Sequence, residues 1–175
     1  DIILVEPNLH GDDRGYFVET FRQDLFNGAI RSMVNFVQDN ESKSSKGVLR
    51  GLHYQVSPFS QSKLIKVIEG RVLDVAVDIR RSSPTFGHHI AIELSSANKK
   101  QLFIPKGFAH GFVVLSDSAT ITYKVDCFYA PEYERSIAFD DKDLKIDWQL
   151  SSDILKLSNK DQNSPRLSNA KDLFD

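Results

Sequence analysis

From Lys63 to Arg80 the chain reads KLIKVIEGRVLDVAVDIR, with apolar and polar positions alternating on both sides of Glu69-Gly70. With Leu64, Ile68, Val72 and Leu73 among the apolar positions, this pattern predicts two strands joined at Glu69-Gly70 as a hairpin. His89 to Leu94 (HIAIEL), Gln101 to Pro105 (QLFIP), Gly111 to Leu115 (GFVVL) and Ala119 to Asp126 (ATITYKVD) continue as further strands at short spacing, separated by turn-forming residues. Many short strands predict a mainly β sandwich or barrel. Helical periodicity is confined to a turn or two around Arg22 to Ile30 and to the region from Asp140 onward. With no internal repeat or linker, the expected organisation is one domain over residues 1–175. It divides into an N-terminal arm (1–25), a strand-rich core (35–130) and a C-terminal tail (140–175). Residues 151–175 are polar and are expected to wrap the surface irregularly.

Composition narrows the class. The 175 residues are enough for one domain with a substantial core, and 41% hydrophobic with 26% charged residues is the balance of a globular chain. No apolar run approaches the length of a membrane span, so no membrane partner is expected. Lys plus Arg total 22 against 24 Asp plus Glu, and the net charge of -2 argues against a nucleic-acid partner. A lone Cys127 excludes an internal disulfide and any cysteine-based zinc cluster, which makes the cytoplasm the expected location. The first residues, opening at Asp1 without Met, lack the basic start and apolar stretch of a signal peptide.

Polar chemistry concentrates in Asn40 to Gln55, NESKSSKGVLRGLHYQ, where Gly47 and Gly51 bracket a short apolar strand. Strict alternation would turn Gly51, His53 and Gln55 to one face and Arg50, Leu52 and Tyr54 to the other, so that His53 and Gln55 line one cavity. A second segment, PKGFAH at 105–110, places His110 at the mouth of another strand and resembles the second cupin motif. The first cupin motif has a Gly, five residues, two alternating histidines, and then a Glu followed by six residues and a Gly. Gly47, five residues and His53 fit its opening, and Lys63, six residues and Gly70 fit its close. Gln55 stands in place of the second histidine and Lys63 in place of the glutamate. An ammonium where a metal ligand belongs repels a divalent ion, so the expectation is a site without metal, active after exhaustive chelation. Histidines, a lysine, Arg50 and tyrosines suit an anionic ligand and acid-base chemistry: a His–carboxylate pair to take a proton beside a carbonyl, a Lys to steady the enolate, and a Tyr to return the proton.

The chain also resembles a specific family, the dTDP-4-dehydrorhamnose 3,5-epimerases. The resemblance rests on GDDRGYFVETF (11–21), FVQDNESKSSKGVLRGLHYQ (36–55), QSKLIKVIEGRVLDVAVDIRRSSPTFG (61–87), IPKGFAHGFVVLSDSA (104–119) and LSNKD (157–161), which follow the family's order. It implies a cupin-type jelly-roll barrel of antiparallel strands with a few short helices, mostly near the C-terminus, and no cofactor. The implied partners are a dTDP-sugar substrate and a second copy in a homodimer. The implied reaction inverts carbons 3 and 5 of a dTDP-linked 4-keto-6-deoxyhexose on the way to dTDP-L-rhamnose, used in bacterial cell-surface polysaccharide. By position, His53 matches the proton-abstracting base, Asp161 its orienting carboxylate, Tyr123 the proton donor and Lys63 the residue that steadies the enolate. His110 and Asp74 match positions around the same pocket, and Arg50 and Arg14 match phosphate or nucleotide contacts. Phe17, Glu19, Gln38 and Asn40 match the nucleotide end, and Glu134 and Lys160 also match substrate-binding positions.

Judged without the resemblance, Asp161 reads as a solvated carboxylate in a polar tail, and Arg14 with Glu19 as a surface ion pair. Around CFYAPEY (127–133) both Phe128 and Tyr129 are candidates to close over substrate. The competing functional readings are an epimerase of one carbon only, a sugar-binding cupin without catalysis, and a metal cupin, the last weakened by Gln55 and Lys63.

Overall fold

The computed structural model describes residues 1–175, which form two five-stranded sheets, a separate hairpin, two short α-helices and a long irregular tail. The strands are β1 (Ile3–Val5), β2 (Leu9–Asp12), β3 (Gly15–Val18), β4 (Gln38–Ser45), β5 (Leu49–Gln55) and β6 (Lys63–Glu69). They continue as β7 (Arg71–Asp78), β8 (His89–Ser95), β9 (Gln101–Ile104), β10 (Phe108–Val114), β11 (Ser118–Val125) and β12 (Glu134–Ser136). One sheet runs β1-β9-β6-β11-β4 and the other β12-β5-β10-β7-β8, while β2 and β3 pair only with each other. Every strand pairing is antiparallel.

The expected hairpin at Glu69-Gly70 is not one. Its two strands form but lie in different sheets: β6 pairs with β9 and β11, and β7 with β8 and β10. Gly70 makes the corner with φ of 76°, where a Cβ would lie 2.1 Å from the Ser118 carbonyl oxygen. Alternation along each strand is satisfied equally by a hairpin or by a crossing between packed sheets, so it could not distinguish the two.

Between the sheets lies an apolar layer in which Ile65, Val67, Leu102, Ile104 and Ile121 meet Val72, Ala76, Leu94, Phe112 and Val114. The sheets are covered on their outer faces too. Helix α1 (Gln23–Ile30) and the arm pack Phe26, Ile30, Phe21 and Ile3 over Leu64 and Phe103. The tail packs Leu144, Trp148 and Leu167 over Leu52, Leu73, Val75 and Val113. Burial on both faces is seen in β7 (RVLDVAVD), where only Arg71 is exposed and Asp74 and Asp78 are buried among the apolar residues. Each buried Leu or Ile contributes about 1.5–3 kcal/mol relative to exposure, which makes this covering layer part of the core.

The longest helix is α1, near the N-terminus; the region after Asp140 holds one helical turn, α2 (Asn159–Gln162), and a short 3₁₀ segment at Leu167–Asn169. The tail is fixed by backbone pairing: the Lys156 N–H donates to the Gly47 carbonyl at 2.8 Å and the Leu49 N–H to the Lys156 carbonyl at 3.0 Å. Gly47, with φ of 80°, allows that approach, since a Cβ there would lie 2.3 Å from the Ile154 carbonyl oxygen. This docking carries α2, and with it Asp161, to the end of β5.

Candidate active site

The inner layer changes character at one end of the barrel. Lys63 precedes Ile65 and Val67 on β6, His110 precedes Phe112 and Val114 on β10, and Tyr123 follows Ile121 on β11, so one end of the interstrand space is polar. Two adjoining hollows of about 240 and 620 Å³ open there and share His53, Lys63, Tyr123, Tyr129 and Glu134 as lining. Gln38, Asn40, Tyr54, Gln55 and Gln61 complete the smaller, and Arg50, His110, Lys160 and Asp161 help to line the larger.

Arg50 and His53 share this cavity, although strict alternation assigns them to opposite faces. The pairing of β5 with β10 explains it: His53 lies opposite His110 but Arg50 opposite Phe112, so three steps along β5 match two along β10. The extra residue at Gly51–Leu52 is a bulge that re-aims one end of the strand. Leu49, Leu52 and Tyr54 are thereby left in the outer core beneath the tail. A Cβ on Gly51 would stand 2.4 Å from the Gly111 Cα, so the close approach at the bulge requires glycine.

His53 Nε2 lies 2.6 Å from Asp161 Oδ1, and Asp161 is 4% exposed, which corrects its solo reading as a surface carboxylate. Ser158 caps α2 by accepting the Asp161 N–H at 3.1 Å and donates its own hydroxyl to Asp161 Oδ2 at 2.8 Å. Burial pushes the Asp161 carboxyl up, but the hydrogen bonds and charge from His53 and the Ser158 hydroxyl outweigh it and hold the group below its ordinary value. With a carboxylate on Nε2, the imidazole proton belongs there, leaving Nδ1 as the basic nitrogen. Ser158 was missed in the sequence, where the Ser-x-x-Asp spacing of a helix cap was its available signal.

Glu134, opposite Gln55 on β12, approaches His53 Nδ1 to 4.0 Å, pairs with Lys160 and accepts the Tyr129 hydroxyl at 2.9 Å. Burial raises its carboxyl, and these partners more than reverse the effect. Of the two aromatic candidates for closing the site, Tyr129 lines both hollows and Phe128 lines neither. On the floor, Asp74 is fully buried, with both carboxylate oxygens 3.0 Å from His110 Nε2.

The facing sheet supplies Lys63 and Tyr123. Burial drives the Lys63 ammonium down to about 8 against the pull of Asp74 and Glu134. Burial also raises the Tyr123 phenol, partly offset by Arg50 and reinforced by Glu134. Asn40, opposite Tyr123 on β4, accepts a hydrogen bond from Gln38 at 2.8 Å. Arg50 donates to the Ser44 hydroxyl at 3.2 Å. Neither Lys63 nor Arg50 is in an ion pair.

Arg14, Phe17 and Glu19 are not brought to this cavity. They belong to the β2–β3 hairpin and the segment after it, with Phe17 70% exposed, and Arg14 pairs with Asp12 instead of Glu19.

A family model described as dTDP-4-dehydrorhamnose 3,5-epimerase matches residues 1–169. The chain belongs to the dTDP-4-dehydrorhamnose 3,5-epimerase family. A relative of that name from Pseudomonas aeruginosa is 52% identical over 170 residues, 97% of this chain and 93% of the relative. The crystal structure of the Elizabethkingia anophelis dTDP-4-dehydrorhamnose 3,5-epimerase superposes with a TM-score of 0.93 at 50% identity, covering 97% of this chain and 92% of that one. A Legionella pneumophila dTDP-6-deoxy-D-glucose-3,5-epimerase, solved in complex with dTDP-4-keto-L-rhamnose, also reaches 0.93 at 48% identity, covering 97% and 89%. The two sheets are therefore the family's cupin-type fold, and the activity is that of a dTDP-4-dehydrorhamnose 3,5-epimerase, an isomerase of dTDP-L-rhamnose biosynthesis.

Proposed function

We propose that the epimerase works without metal, with His53 as the base that removes the protons at carbons 3 and 5 of a dTDP-4-keto-6-deoxyhexose. The observation that carries this reading is the part-buried His53–Asp161 pair facing Lys63 and Tyr123 across the gap between the sheets. The 4-keto group makes both adjacent carbons acidic. His53 takes a proton through Nδ1, Asp161 stabilises the imidazolium, and the unpaired Lys63 ammonium neutralises the enolate oxygen. Tyr123, on the opposite sheet, returns a proton to the other face of the ring, and the configuration inverts. Asp74 and His110 form the floor beneath the sugar, and Glu134 and Lys160 contact it from the β12 side.

Arg50, unpaired on the wall, suits the diphosphate, with Gln38 and Asn40 toward the nucleotide. The exposed hairpin supports a homodimer in which Arg14, Phe17 and Glu19 complete the nucleotide end of a second copy's cavity, with Phe17 stacking on the base. No helix is long and apolar enough to cross a membrane, and the lone Cys127 suits the cytoplasm.

The test is incubation with dTDP-4-keto-6-deoxyglucose in deuterated water, with the label located by NMR. Incorporation at both carbons is expected, and His53→Ala should abolish it at each. Label at one carbon only would make this a single-carbon epimerase, and exchange retained by His53→Ala would reject His53 as the base.

A further inference from the structure

Gln55 ends β5 two residues beyond the proposed base and is 4% exposed. Its side chain is spent on backbone. Nε2 donates to the Phe59 carbonyl at 2.6 Å and the Phe128 carbonyl at 3.2 Å, while Oε1 accepts the Ala130 N–H at 2.8 Å. Phe128 and Ala130 flank Tyr129, so one amide grips the chain on both sides of that residue. The Tyr129 N–H donates to Gln38 at 3.2 Å and its hydroxyl to Glu134 at 2.9 Å, which fixes the ring at the mouth of both hollows.

Resting on the epimerase reading, we infer that Gln55 is a positioning residue that acts through Tyr129, latching the 127–130 segment so that the phenol closes over the bound sugar. A single side chain at the end of a rigid strand thereby sets the distance between the roof of the site and His53. The amide suits this because it donates and accepts at once. A hydrocarbon of similar size would leave two carbonyls and a buried N–H without partners, and a carboxylate would face those carbonyls with negative charge. The consequence falls on substrate binding, since Tyr129 holds the sugar and His53 keeps its Asp161 partner.

A double-mutant cycle in steady-state kinetics with dTDP-4-keto-6-deoxyglucose tests this, using Gln55→Leu, Gln55→Glu, Tyr129→Ala and the two combinations. Either Gln55 substitution should raise KM about tenfold with kcat within about threefold of the native value. In the Tyr129→Ala background the same substitutions should change KM by less than about twofold, because the residue they act through is gone. Should Gln55→Leu fail to fold, Gln55→Glu carries the test. Its KM, relative to native at each pH, should fall as acidification restores a donor toward the Phe59 and Phe128 carbonyls. Undiminished KM effects without Tyr129, a kcat loss equal to the loss in kcat/KM, or a pH-independent KM ratio for Gln55→Glu would each overturn the inference. A native chain that does not turn over this sugar would instead overturn the proposed function.

Discussion

Asp161→Asn isolates the carboxylate's charge from its shape. The amide has the same size, and the helix cap survives because Ser158 accepts the backbone N–H of residue 161, not its side chain. What changes is the partner of His53 Nε2, now 2.6 Å from a full negative charge. With charge centres about 4 Å apart and an effective dielectric near 20, an imidazolium–carboxylate pair gains about 4 kcal/mol. In the proposed mechanism that attraction develops as His53 takes the substrate proton, so its loss should lower kcat by about a thousandfold. An Asn NH₂ directed at Nε2 would also move the ring proton to Nδ1 and remove the base from the cavity. Deuterium incorporation followed by NMR gives the rate at each carbon, and calorimetry reports the fold. Losing the charged hydrogen bonds costs about 1–3 kcal/mol, and relief of a buried charge opposes it, so the melting temperature should stay within about 10 °C. A folded variant retaining more than a tenth of native kcat would refute this account of Asp161.

Lys63, held at about 8 against an ordinary 10.5, gives opposite pH dependences for activity and stability. Turnover should fall as pH rises through about 8 and the ammonium is lost. Between those values the folded state binds fewer protons than the unfolded state, so Lys63's contribution to stability is unfavourable below about 8 and improves toward 10.5. Rate profiles and thermal melts recorded in parallel check this, and turnover unchanged from pH 7 to pH 10 would contradict it. Tyr123→Phe keeps the ring in the core but should lower product formation by about a hundredfold or more while substrate still exchanges protons with solvent. Equal loss of both would assign Tyr123 to binding alone. Gly47→Ala, placing a Cβ 2.3 Å from the Ile154 carbonyl oxygen at φ of 80°, should cost about 1–3 kcal/mol and lower kcat by loosening the tail that carries Asp161. Denaturant melts and turnover measure the two effects.

Much of the strand content was legible because alternation survives in β8 and β11, while β9 and β10, buried on both faces, read as short apolar runs between turn-forming residues. The sheet each strand joins was not, as the corner at Gly70 shows: alternation records a buried face but not the neighbour across the hydrogen bonds. The same local view placed Arg50 opposite His53, since a bulge is created by how β5 meets β10 and leaves no periodicity of its own. Asp161 illustrates the long-range limit. It lies 108 residues from His53 and is buried only after the tail docks through Gly47 and Lys156, so a polar stretch such as SNKDQNS reads as solvated until the family resemblance supplies the contact. Arg14, Phe17 and Glu19 sit on or just after a hairpin paired only with itself, so nothing in the fold of one chain carries them to the cavity, and in the proposed function their place at the nucleotide depends on a second copy.

The charge pattern of the cavity explains why Lys63 can stand where a metal cupin has its glutamate. Each carboxylate near the base already has a partner: Asp161 has His53 and Ser158, Glu134 has Lys160 and Tyr129, and Asp74 has His110. None is left free to recruit a divalent ion, and Gln55, at the position of the second metal-binding histidine, is turned to backbone carbonyls and an N–H. The unmatched charges are cationic, Arg50, Lys63 and Lys156, on a chain of net charge -2. Unpaired cations in a partly buried hollow are costly unless an anion arrives, and the proposed substrate brings two, a diphosphate for Arg50 and an enolate oxygen for Lys63. In the proposed mechanism the second anion exists only while a proton is held by His53. Lys63, already desolvated to a lowered pKa, therefore gains most from its partner at the moment the carbon is deprotonated, which is where stabilisation accelerates the reaction and does not merely tighten binding.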